Sequence, residues 1–327
     1  MAGAACLSVA LMLSSGTASG NLDRYGEGCE YVEAGPPGPK GNRLLVVGGG
    51  EPRLRRIGDA LVVREGSIGC DRTRVPVDSV DRVVFRAEDT SVTVDERGGR
   101  LGPGATLERG GSSEIEVEVH EADFFSLYRG PEDSVTRIGV GPKDTVAFNL
   151  NPAGDGRRRD PDVLLSKDGF RRMKVFAGGG DDLIDARRLT GIPDNHIGFP
   201  VIRLNGGKGR DAILGGPEAE GLYDGPGDDL IRGAGGDDLL GLSTGSETAY
   251  GGFGEDALVY TTPLEVAGGH RDAADRLFAG PGADTVQDDN GYPDVIRCGP
   301  GRDILDAHGR DRGRSCERVL HGRGDII

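Results

Sequence analysis

The chain has 327 residues and a formal net charge of −15, which excludes the basic surface that a nucleic-acid backbone or an anionic membrane rewards. Apolar residues make up 36% and aromatics 5%, tryptophan is absent, and 58 residues are glycine, far above the usual share of about 7%. A thick core of large side chains is therefore excluded: the chain is partly disordered, or it folds in a way that needs little core per residue.

Residues 1–20, MAGAACLSVALMLSSGTASG, carry a short apolar run from Ala4 to Leu13 that ends in small residues. It reads as a secretory signal cleaved after Ala18 or Gly20, although the positive n-region is missing. No later run is long enough to span a bilayer. Cys6 would leave with the signal, and Cys29, Cys70, Cys298 and Cys316 would remain, an even set of the kind exported chains use for disulfides. Such a set allows three connectivities; the pairs closest in sequence are Cys29 with Cys70 and Cys298 with Cys316. No C-x2-C pair or nearby histidine supports a zinc site.

Residues 21–42 contain GPPGPKG, too short for a triple helix, and read as a Pro/Gly linker. From 43 to 165 the segments RLLVV, DALVVRE, DRVVFRA, TSVTVDE, EIEVEVHEA and DTVAFNL alternate and are rich in valine. They predict strands between Gly, Pro or charged turns. EADFFSLYR is the one helix candidate in this region.

From 166 the texture changes. A nine-residue frame set at Gly206 divides residues 206–259 without a gap into GGKGRDAIL, GGPEAEGLY, DGPGDDLIR, GAGGDDLLG, LSTGSETAY and GGFGEDALV. The sixth place is always acidic: Asp211, Glu220, Asp229, Asp238, Glu247 and Asp256. The eighth is always apolar: Ile213, Leu222, Ile231, Leu240, Ala249 and Leu258. The fourth is Gly209, Gly227, Gly236, Gly245 and Gly254, with Glu218 the exception. AGGGDDLID, from Ala177, sets Asp182 and Ile184 in the same places. After 260 the frame slips, then resumes in HRDAADRLF, AGPGADTVQ, DNGYPDVIR and CGPGRDILD, whose sixth places are Asp275, Asp284, Asp294 and Asp303. Composition alone would permit a disordered Gly/Asp tract. A fixed frame, with an aliphatic residue two places after an acid, is hard to get from drift.

These blocks resemble G-G-x-G-x-D-x-U-x, the nonapeptide repeat of RTX (haemolysin-type) calcium-binding proteins. The resemblance is strong from about 177 to 306, and the strand-rich start and the two late cysteines are similar to secreted calcium-binding members of that group. It implies an all-β fold, a right-handed parallel β-roll or β-solenoid. In such a roll the first six residues of a block turn and the last three form a strand. Two blocks make one coil, so equivalent turns recur every eighteen residues. Calcium ions would sit between such turns, held by the sixth-place carboxylates and by turn carbonyls at Gly206, Gly207, Gly209, Gly225, Gly227, Gly236 and Gly254. The implied pairs are Asp211 with Asp229, Glu220 with Asp238, Asp229 with Glu247 and Asp238 with Asp256. Further along they are Asp275 with Asp294 and Asp284 with Asp303. The longer arms of Glu220 and Glu247 depart from the pattern.

The chemistry of the residues agrees. Calcium takes six to eight oxygens, mixing carboxylates with carbonyls. Glycine lets turns bend carbonyls inward, and the eighth-place aliphatic fills a thin core by strand alternation. Residues 206–259 hold eleven acids and three bases, so the array is expected to fold only on binding metal. The division that results is a calcium-binding roll over 166–306 and a terminal cap over 307–327. The region 43–165 is either a degraded continuation of the solenoid or a small separate β domain.

Other motifs carry less. GLSTG at Gly241–Gly245 fits the G-x-S-x-G elbow of hydrolases but falls inside the nonapeptide frame. HEADF is not H-E-x-x-H. GGGEPR at 48 lacks the last glycine of a dinucleotide fingerprint, and the RGD at Arg323–Asp325 and the GRRRD at 156 read as chance and a solvated loop. The expectation is a non-enzymatic extracellular calcium binder with a structural role. The alternatives are a secreted hydrolase or protease, or an adhesin, that carries an RTX module.

Overall fold

The structure is a computed structural model. It describes residues 51–64, all of 201–260, most of 80–101, 115–150, 161–192 and 273–321, and the strand backbones at 22–24, 29–33, 43–48, 74–76 and 325–326. The expected signal, most of the linker, Cys70 and with it the Cys29–Cys70 pairing, and the GRRRD spot lie outside the described residues.

Alternation in the repeats produces strands, and the nonapeptide period assigns them in turn to two sheets. Among the described residues one sheet has 15 strands and the other 14. In the first, Ala212–Leu214, Leu230–Gly235 and Thr248–Phe253 lie parallel, with Ala212 opposite Leu230 and Leu230 opposite Thr248. In the second, Glu220–Tyr223, Leu239–Leu242 and Ala257–Tyr260 lie parallel, with Leu222 opposite Leu240 and Leu240 opposite Leu258. Each partner is one coil, eighteen residues, away.

The core is the space between the sheets. The first sheet sends in a column of Ile184, Ile213, Ile231, Ala249, Leu277 and Ile296; the second sends in Leu204, Leu222, Leu240, Leu258, Val286 and Leu305. Burying each large aliphatic is worth about 1.5–3 kcal/mol, so one side chain per nine residues drives the fold where bulky aromatics are few. Outside the core, Tyr250 stacks on Phe278 at 4.8 Å between centroids, and Arg232 and Arg297 lie over these rings.

The same two sheets extend into the N-terminal half. Arg43–Gly48, Arg82–Arg86, Glu116–His120 and Val163–Leu165 run parallel in the first sheet. Arg53–Ile57, Ser91–Asp95, Phe124–Tyr128 and Arg172–Gly179 run parallel in the second. An antiparallel detour, Val135–Val140 to Val146–Asn149 to Val163–Leu165, adds strands to the first sheet. Here the core holds Phe85, Phe125 and Phe148.

The helix expected over EADFFSLYR is a strand, Phe124–Tyr128. Phe125 and Leu127 are buried while Phe124 is exposed, and the backbone pairs with parallel neighbours on both sides. Period-2 burial between two ready-made sheet edges overrides the local pattern.

At the far end Cys298 and Cys316 form a disulfide with Cα atoms 5.2 Å apart. Their separation of 18 residues is one coil, so the bridge ties the last turn to the one beneath it.

Candidate metal centre

Each repeat turn ends on an acid whose side chain folds inward. On the edge leading into the first sheet, the Asp182 amide donates to Asp211 Oδ1 at 2.8 Å and the Asp211 amide to Asp229 Oδ1 at 2.6 Å. After the next coil, Glu247 donates to Asp275 at 2.9 Å, Asp275 to Asp294 at 2.6 Å and Asp294 to Asp311 at 3.1 Å. On the opposite edge the amides of Glu220, Asp238, Asp256 and Asp284 donate to Asp238, Asp256, Asp284 and Asp303, at 2.8 to 3.0 Å. Asp303 in turn donates to Glu317 at 2.7 Å. The coils are thus joined edge to edge by two ladders of carboxylates.

A ladder uses one oxygen per acid. The second oxygen of Asp182, Asp211, Asp229, Asp238, Asp256, Asp284, Asp294 and Asp303 is buried and meets no donor, nor does either oxygen of Glu247. Desolvation therefore pushes these carboxyls up: Asp182, Asp256 and Asp284 to about 6, and Asp211 and Asp229 to about 7. The closely coupled Glu220 and Asp238 are raised by the same cause. A buried carboxylate oxygen without a partner is costly, and here the deficit recurs at most of the repeat turns.

Glycine shapes the space these oxygens face. A Cβ at Gly206 would lie 2.5 Å from Asp211 Oδ2 and 2.7 Å from the Asp224 carbonyl oxygen. On the other edge a Cβ at Gly251 would lie 2.5 Å from Asp256 Oδ2 and would overlap the Ala279 carbonyl oxygen. Orphaned carboxylate oxygens and turn carbonyl oxygens, the latter already accepting the Gly207 and Gly252 amides, therefore converge where a side chain has been left out. The donor set is all oxygen, of the kind a hard divalent cation takes.

The other turn glycines stack. Gly207 lies over the Gly178 carbonyl, Gly209 over Gly180, Gly225 over Gly207, Gly227 over Gly209, Gly236 over Glu218 and Gly254 over Gly236, each too close to admit a Cβ. Every pair expected at a coil's spacing is joined by an amide–carboxylate bond except Asp229 with Glu247. Those two instead offer oxygens within 4.8 Å of each other and of Asp224.

Asp224 and Asp288 were not among the expected ligands. Each is fully or almost fully buried, and Asp288 joins Asp275 and Asp294 in a second such group. Both stand outside the sixth place. The available signal was an aspartate in the place that holds Gly206 one coil before Asp224. Ser243 of GLSTG is buried and follows the strand Leu239–Leu242, with a turn and no helix after it, so it does not form a nucleophile elbow.

A family model described as the RTX calcium-binding nonapeptide repeat matches four copies, over residues 222–246 and 271–292. No significant match was found among curated proteins or among solved structures. The chain carries RTX repeats in a nearly all-strand, mostly parallel two-sheet fold, and such repeats bind calcium ions and serve a structural role. Among the described residues no helix is long and apolar enough to cross a membrane.

Proposed function

We propose that this chain is an extracellular, non-enzymatic calcium-binding β-roll whose repeat region, 166–306, is held in its fold by the metal, with 307–327 as its cap. The observation that carries this reading is the half-satisfied carboxylate that recurs from turn to turn. At Asp211, Asp229, Asp238, Asp256, Asp284, Asp294 and Asp303 one oxygen binds the amide of the preceding coil and the other is buried and unpartnered, and at Glu247 both are unpartnered. A cation between coils answers that deficit and cancels the repulsion along each edge. The residues that would hold it are Asp182, Asp211, Glu220, Asp229, Asp238, Glu247 and Asp256, then Asp275, Asp284, Asp294 and Asp303, with turn carbonyls. Calcium would supply charge compensation and cross-linking between coils, and no catalytic step. Export is supported by the apolar start and by the disulfide at Cys298–Cys316, a bond that persists in oxidising compartments.

The test is a calcium titration of the chelator-treated full chain followed by far-UV circular dichroism, with magnesium as the control. The expected result is a gain of β signal in calcium at about 10⁻⁴–10⁻³ M, the range of extracellular modules, and none in magnesium. A spectrum that ignores both calcium and chelator overturns the reading.

A further inference from the structure

Strand alternation assigns each position at the end of a second-sheet strand to one register column. Gly206, Asp224, Leu242, Tyr260, Asp288 and Ala307 occupy it, each two residues beyond a core aliphatic. Such a column faces the core, and Leu242 and Ala307 are buried in it as expected. Aspartate is the wrong residue for it: a buried carboxylate costs several kcal/mol unless something compensates. Yet Asp224 is 0% exposed with Oδ2 unpartnered, and Asp288 is 2% exposed with neither oxygen hydrogen-bonded.

Both aspartates point at acids already crowded together. Asp224, Asp229 and Glu247 each offer an oxygen within 4.8 Å of the other two, and Asp275, Asp288 and Asp294 do the same. Asp224 Oδ1 takes the Gly225 amide at 2.6 Å, and Asn290 donates to Asp275 Oδ2 at 3.0 Å. No arginine, lysine or histidine forms an ion pair with Asp224, Asp229, Glu247, Asp288 or Asp294 among the described residues. Protein hydrogen bonds leave Asp224 Oδ2, Asp229 Oδ2 and both oxygens of Glu247 unanswered in the first cluster, and both oxygens of Asp288 and Asp294 Oδ2 in the second.

We propose that Asp224 and Asp288 are divalent-cation ligands outside the repeat consensus, and that each completes a three-carboxylate site that fills before the rest of the array. The inference rests on the calcium-binding reading above. Affinity of oxygen-donor sites rises with ligand charge, and these two clusters hold one more buried carboxylate than the two-acid contacts elsewhere on the ladders. Both lie on the edge leading into the first sheet.

The experiment counts calcium bound to the full chain by equilibrium dialysis and resolves affinity classes by calorimetry, for wild type, D224N, D288N, D288L and the neutral-surface control D306N. The expected result is two tight equivalents in wild type. D224N and D288N each remove one, weakening it by about 100-fold or more, the upper end of what loss of even a supporting group costs a metal site. D288L, which matches Leu242 of the same column, should lose the same equivalent while stabilising the chelated chain, and D306N should keep both. A single affinity class in wild type overturns the proposal, as does an unchanged tight class in both Asp288 variants; calcium uptake would persist in either case and the broader reading would stand. No calcium uptake by wild type would overturn both.

Discussion

Removing calcium should turn the roll into an acid-stabilised fold. Asp211 and Asp229, held up at about 7 by burial, ionise in the unfolded chain near the ordinary aspartate value of about 3.9. A folded pKa above the unfolded one means that the folded state binds more protons, so stability is fully present below about pH 4. It falls as pH rises and is lost once pH passes about 6 to 7, where Asp182, Asp256 and Asp284 also titrate. A shift of roughly three units is worth about 4 kcal/mol, so two such acids already rival the roughly 5–15 kcal/mol of a whole domain. The chelated chain should therefore show little repeat-derived β signal at pH 8 and regain it near pH 5. Calcium should reverse the slope, since it competes with the protons and binds more weakly as pH falls. Circular dichroism across pH 4–9, with chelator and with saturating calcium, measures both. A chelated chain with full β signal at pH 8 and no pH dependence would refute the reasoning.

Two further outcomes follow from the turns and the cap. Gly209 has φ +127° and faces the Gly180 carbonyl, so Gly209→Ala should cost about 1–3 kcal/mol for the backbone conformation alone. The overlap adds to this, and the calcium-loaded melting temperature should drop accordingly. Cys298→Ser opens a loop of 18 residues and should cost about 3 kcal/mol of unfolding free energy by the chain-entropy account; equal denaturation midpoints with and without reductant would contradict this.

Much of the roll was legible because its signal is local and periodic. An acid followed two places later by an aliphatic, repeated every nine residues, specifies which side chains enter the core and which close the turn. Ile213, Leu222, Ile231 and Leu240 are buried as that frame requires. Phe124–Tyr128 was misread because a short apolar run looks alike in helix and strand, and only the strands on either side of it decide. Asp224 and Asp288 were passed over because their meaning depends on a column that crosses coils. In sequence they are two more acids in an acidic tract.

By itself, then, the amino-acid sequence determined the nine-residue frame, its glycine-rich turns, and the acids and aliphatics at its sixth and eighth places, since each follows from a residue's place in the unit; the parallel roll and its two-block coil are what the resemblance to RTX repeats implied. Tertiary structure alone decided three other things. The strands from 43 onward stack on the same two sheets as the repeats, a matter of long-range pairing that degraded periodicity does not encode. One oxygen of most ladder aspartates is taken by a neighbouring coil's amide and the other is left bare, while both oxygens of Glu247 are bare. And two core-facing aspartates meet the ladder where three carboxylates crowd together, because register between coils, not spacing along the chain, sets which charges share a buried space.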